Sequence, residues 1–155
     1  MVILGGYDAN LNKISDVEVL DMQTEDKGCD PTDLPSPVYS HACVYSSVLQ
    51  SLITCGGYGS NGRLSKCSVE TKNGHQISLP PMNSGRSSFA MVSTRNQLIS
   101  IGGLGSRNKM ETIKLNATGA WNQQPMPFSV QLHCAVALDN NIIVIGGMDE
   151  NRNVS

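Results

Sequence analysis

Charge of one sign, long apolar runs and aromatic side chains are all scarce in this chain. Eleven Lys and Arg against thirteen Asp and Glu leave a formal net charge of −2. No basic block interrupts that balance, so the electrostatic attraction that nucleic acid or an anionic membrane surface requires is missing. Uninterrupted aliphatic runs reach four or five residues, against about 20 for a spanning helix. The opening "MVILGG" is too short to read as a secretory signal, and the expectation is a soluble chain or a soluble piece of a longer one. No stretch longer than ten residues keeps a helical period. Three histidines and five cysteines occur without HxxxH or CxxC spacing, so neither a metal nor a cofactor is expected.

Glycine, by contrast, is plentiful and ordered. Pairs at Gly5-Gly6, Gly56-Gly57, Gly102-Gly103 and Gly146-Gly147 each close an apolar run, and their second members stand 51, 46 and 44 residues apart. Recurrence at nearly one period marks a repeat architecture. Between the pairs the same order of segments returns. A first strand is "HACVY" (41–45), "FAMVS" (89–93) and "HCAVA" (133–137). A second ends on the glycine pair, at Leu4, Cys55, Ile101 and Ile145. A third is "VEVLD" (17–21), "CSVET" (67–71) and "TIKLN" (112–116), and a fourth is "CDPTDLP" (29–35), "ISLPPM" (77–82) and "WNQQPM" (121–126). Short apolar or alternating runs, broken every 8 to 12 residues by Gly, Asn, Asp and Pro, predict strands. The second strand is apolar almost throughout, as suits a strand covered on both faces. No helix is predicted after the glycines, which excludes a phosphate loop and leaves a backbone role, a positive φ or a close approach.

On the four glycine pairs, Trp121 ahead of "QQPM", and the run "PPMNSGRSSFAMV" (80–92), the chain resembles the kelch-repeat family. That resemblance implies an all-β fold: a partial kelch-type β-propeller of about three four-stranded antiparallel blades, not a closed ring. The blades fall at 38–82 and 86–126, flanked by partial blades at 1–35 and 130–155. The remaining propeller blades are then expected in a longer parent chain. Departures from the family pattern are Leu20, Val69 and Leu115 where the third strand usually holds an aromatic, and Cys29 and Ile77 in the places corresponding to Trp121.

Function follows from the resemblance and from loops that vary between repeats, the layout of a binding module. The expectation is a non-enzymatic protein-interaction module with a protein partner, of the kind that recognises substrates in a ubiquitin-ligase adaptor. The BTB and BACK regions of such adaptors are not among these 155 residues. In the intracellular kelch-like adaptors an Arg of the fourth-to-first loop meets acidic residues of a partner peptide, since a planar guanidinium suits carboxylates. Arg86 takes that place here, whereas Val38 and Val130 occupy it in the other repeats. Ser87, Tyr39, Tyr58, Arg63 and Arg107 are the other loop residues expected to contact a partner. Two alternatives remain: an extracellular adhesion protein, and a copper enzyme similar to galactose oxidase, for which Tyr39 and His41 offer too sparse a ligand set.

Histidine and cysteine are assigned by column. His41 and His133 share a column with Phe89 and are therefore packing positions, while His75 follows the Asn73-Gly74 turn. All five cysteines align with apolar columns, so buried reduced thiols in a cytoplasmic protein explain them. The competing reading is a disulfide between Cys55 and Cys67, which flank the "SNGR" turn and could face each other across a hairpin. The pattern "TCGG" followed by "LSKC" also resembles invertebrate kelch-repeat proteins that carry secretory signals.

Overall fold

The computed structural model describes residues 2–20, 27–28, 34, 36–71, 75–115, 119–139 and 141–154, and for 2–4, 17–20, 27 and 28 the backbone alone. Every regular element among them is a strand, and all pairings are antiparallel. A first sheet holds β1 (Val2–Tyr7), β2 (Lys13–Leu20) and β3 (Lys27–Gly28) in that order. The second is β4 (Ala42–Ser46), β5 (Ser51–Cys55), β8 (Cys67–Glu70) and β9 (Gln76–Leu79). Between β5 and β8 a small hairpin, β6 (Tyr58–Gly59) and β7 (Gly62–Arg63), turns through Ser60 and Asn61. The third sheet is β10 (Ala90–Ser93), β11 (Gln97–Ile101), β12 (Lys109–Lys114) and β13 (Asn122–Pro125). The fourth is the pair β14 (Cys134–Leu138) and β15 (Asn141–Ile145). None of the sheets closes on itself. The fourth strand expected at 29–35 lies, Leu34 apart, outside the described residues.

The first strands of successive sheets are neighbours: β10 lies between β4 and β14. Consequently β10 and β11 are covered on both faces, and their sequence is apolar on both. Met91 and Leu98 pack toward the second sheet with Ile53, Val69, Phe89 and Trp121, whereas Val92, Ile99 and Ile101 pack toward Ala135, Ala137, Ile142 and Val144 of the fourth. Successive side chains of a strand point to opposite faces, so a doubly covered strand cannot alternate apolar with polar. β14 and β15 are covered on one face only. Their other face presents Val136, Leu138, Ile143 and Ile145, all more than 40% exposed.

The glycine pairs tie one sheet to the next. The amides of Gly6, Gly57 and Gly103 donate to the carbonyls of Val38, Arg86 and Val130, at 2.9, 2.8 and 2.9 Å. Gly56 and Gly57 have φ of +64° and +95°, a region costly for any residue with a Cβ. A Cβ on Gly56 would stand 2.7 Å from the Arg86 carbonyl oxygen, and one on Gly57 would stand 2.8 Å from the His41 Cβ. Beside these bonds, Ser88 donates to the Ser40 carbonyl and Leu132 to the Ser88 carbonyl, both at 2.9 Å. A glycine pair at the exit of each second strand therefore lets the next first strand approach closely enough to be hydrogen-bonded. No helix among the described residues is long and apolar enough to cross a membrane.

Candidate functional site

Loops at the glycine-pair end bring one polar and aromatic cluster to the surface. The residue after the pair is Tyr in the first two sheets, and its partner across the following turn is a cation: Tyr7 is paired with Lys13 and Tyr58 with Arg63. Tyr39, just before β4, forms a two-way backbone bridge with Tyr58, the amides donating at 3.3 and 2.8 Å. The three rings then adjoin, with centroids 4.6 Å apart for Tyr7 and Tyr39 and 5.4 Å apart for Tyr39 and Tyr58, tilted by 43° and 37°. Tilted rings at such separations are attractive because the positive edge of one meets the negative face of the other.

Lys13 sits over this platform, its Nζ 5.3 Å from the Tyr39 centroid and 5.5 Å from that of Tyr58, and it donates to the Gly59 carbonyl at 3.3 Å. Arg63 lies over Tyr58 at 5.9 Å. These are cation–π contacts between partly solvated groups. Among the described residues neither cation meets a carboxylate within salt-bridge distance. A side-chain hydrogen bond between Tyr7 and Tyr39 raises the Tyr7 hydroxyl above its usual range, with burial and the neighbouring tyrosines adding to the shift.

The base of the loop is fixed. Asp8 accepts from the amides of Asn10 and Asn12 and from Asn12 Nδ2, at 2.9, 2.7 and 3.0 Å. Those bonds, led by the Asn12 side chain, hold its carboxyl below the usual carboxylate range. Cys55 and Cys67 stand opposite each other in the β5–β8 register, 4.1 Å apart at Cα, and their sulfurs are bonded. Both are buried, and the bond encloses the β6–β7 hairpin. The free thiols depart from the column reading: Cys43 and Cys134 are exposed. Cys43 lies on the side of β4 away from Ala42 and the β10 core, and Cys134 on the outer side of β14 with Val136 and Leu138.

Tyr39, Tyr58 and Arg63 are thus brought together, with Tyr7 and Lys13 added by the structure. Arg107 stands apart and donates to Gln131 at 3.3 Å. Ser87 is buried and bridges to Leu104 through its backbone. Arg86, expected to face a partner, is instead fully buried. Its Nη2 pairs with Glu111 of β12, its Nη1 donates to the carbonyls of Gly102 and Lys109 at 3.1 and 3.3 Å, and it lies over Phe89. Val38 and Val130, in the equivalent places, are buried as well. The column is a packing position between sheets, and Arg86 is neutralised there by its own chain. Burial pulls its guanidinium below the usual value while Glu111 opposes that shift.

His133 is buried and His41 half-buried, each packed against the second glycine of its own sheet, and burial lowers the imidazole of both. His75 is exposed. Among the described residues no three His, Cys, Asp or Glu side chains gather as a metal site. No protein-family model and no curated protein matches this chain.

Proposed function

We propose that the chain is part of a larger kelch-type β-propeller and works as a non-enzymatic protein-interaction module. The observation that carries the interaction reading is the convergence of Tyr7, Tyr39 and Tyr58 with Lys13 and Arg63 from the loops of two successive sheets. Tyrosine supplies large, rigid contact area at little entropic cost and arginine a planar set of directional donors, and both are enriched at the energetic centres of protein contacts. A scaffold of strands holds them, as loops that recognise partners require. The propeller reading is supported by the recurrent glycine-to-carbonyl bonds between sheets and by the uncovered apolar side of β14 and β15, where a further sheet of the parent chain would pack.

Substrate recognition in a ubiquitin-ligase adaptor is one use of such a module. The Cys55–Cys67 bond favours a second, extracellular interaction, because disulfides persist in oxidising compartments.

A photo-crosslinking amino acid placed at Tyr58, and separately at Ser47 in the exposed turn after β4, tests the interaction reading in the natural host extract. A discrete polypeptide adduct from position 58, absent at position 47 and lost when Arg63→Ala is added, is the expected result. Equal labelling from both positions contradicts it.

A further inference from the structure

The disulfide stands where other sheets manage without one. The last cross-strand pair before each glycine pair is Leu4 with Val17 in the first sheet, Cys55 with Cys67 in the second, and Ile101 with Met110 in the third. Loop closure beyond that pair is also shared: Gly56 donates to the Lys66 carbonyl at 2.8 Å, as Gly102 does to Lys109 at 3.0 Å. An apolar pair in this position therefore suffices to hold the register, and two reduced cysteines are themselves small apolar side chains. What the bond adds falls on the segment it encloses, Gly56 to Lys66. That segment carries Tyr58 and Arg63, and outside its own sheet it is tethered by five backbone bonds at 2.8 to 3.3 Å, two with Tyr39, two with Arg86 and one with Met82.

We infer that the Cys55–Cys67 bond is a redox-controlled clamp on the loop that presents Tyr58 and Arg63. In the closed state the crosslink removes conformations in which the loop lifts away from Tyr39. A low-molecular-weight thiol opens it: two thiol molecules supply two electrons and two protons, the Sγ–Sγ bond breaks, Cys55 and Cys67 become thiols, and the donor leaves as its own disulfide. Both sulfurs are buried, at 1% and 5% exposure, so attack requires the loop to open first. β5 and β8 keep their register in either state, and only the loop changes its order. As a control over binding, the clamp rests on the proposal that the tyrosine face is the interaction surface; its effect on loop order does not.

Amide hydrogen exchange on the intact chain, oxidised and in dithiothreitol, tests this. Reduction is expected to speed exchange across 56–66 by about tenfold or more, to leave β10–β13 unchanged, and to reverse on reoxidation. The variant Cys55→Leu/Cys67→Val, which copies the pair of the first sheet, is expected to fold and to exchange at the reduced rate with or without dithiothreitol. Unchanged exchange at 56–66, or loss of protection throughout β10–β13, overturns the clamp. If position 58 crosslinks no partner while exchange still responds, the interaction surface fails and the clamp stands.

Discussion

Arg86 and Glu111 form an ion pair between the β9–β10 connection and β12 in which neither side chain is exposed. The rest of the carboxylate is also occupied: Oε2 accepts from the Asn83 amide at 2.6 Å and Oε1 from Gln123 Nε2 at 3.2 Å. One carboxylate thus ties the connection entering the third sheet to that sheet's own third and fourth strands. Its removal leaves a buried guanidinium with no opposite charge, which costs about 3–5 kcal/mol. Glu111→Ala is therefore expected to lose that much in chemical denaturation. Arg86→Met/Glu111→Leu, which removes both charges and keeps the volume, is expected to lose far less. A single variant as stable as the parent would show that the pair is solvated.

Stability should fall as the pH drops through the histidine range. Burial depresses the folded-state imidazoles of His133 and His41 below the ordinary value of 6.5. The unfolded chain then takes up protons first, so the stability that depends on neutral imidazole is complete above that value and is lost as the pH falls through the depressed one. The measurement is Tm between about pH 7.5 and 5.5, a window above most carboxylate titration. His41→Phe/His133→Phe, which places the Phe89 side chain in both positions of its column, is expected to flatten the slope. An unaltered slope would assign it to other groups.

The outer face of β14 and β15 should drive self-association. Val136, Leu138, Ile143 and Ile145 form an apolar strip beside the open edge of β15, and a cleft lined by Phe128, Val130, Val144 and Met148 adjoins it. Exposed apolar strand faces and unpaired edges recruit other chains. Val136→Lys/Ile143→Lys is expected to shift concentrated samples toward monomer in light scattering without lowering Tm, since neither side chain contributes to a described core. A lower Tm would mean that the face is packed.

Much of the fold was legible because the chain repeats one environment. The glycine pairs, the apolar second strands and the strand order follow from columns that share a physical role, and the all-β class follows with them. The histidines were legible in the same way, since a column that accepts Phe89 is a packing column. Arg86 obeys that logic too: Val38 and Val130 in its column signal burial, and the partner that permits it, Glu111, lies in another strand at no fixed spacing. The tyrosine cluster was half legible. Tyr7 and Tyr58 share a column, but the positions of Lys13 and Arg63 opposite them depend on loop length and register. Cys43 and Cys134 were misleading, since both align with apolar columns and both are exposed; Cys134 shares the outer face of β14 with Val136 and Leu138, which no described sheet covers.

Each described sheet is hydrogen-bonded to the next through its glycine pair. Scalar couplings across hydrogen bonds in NMR report it directly, between the amide nitrogens of Gly6, Gly57 and Gly103 and the carbonyl carbons of Val38, Arg86 and Val130. Couplings at all three pairs, with amides slow to exchange, are predicted. Their absence at any two, with fast-exchanging amides, would contradict the account.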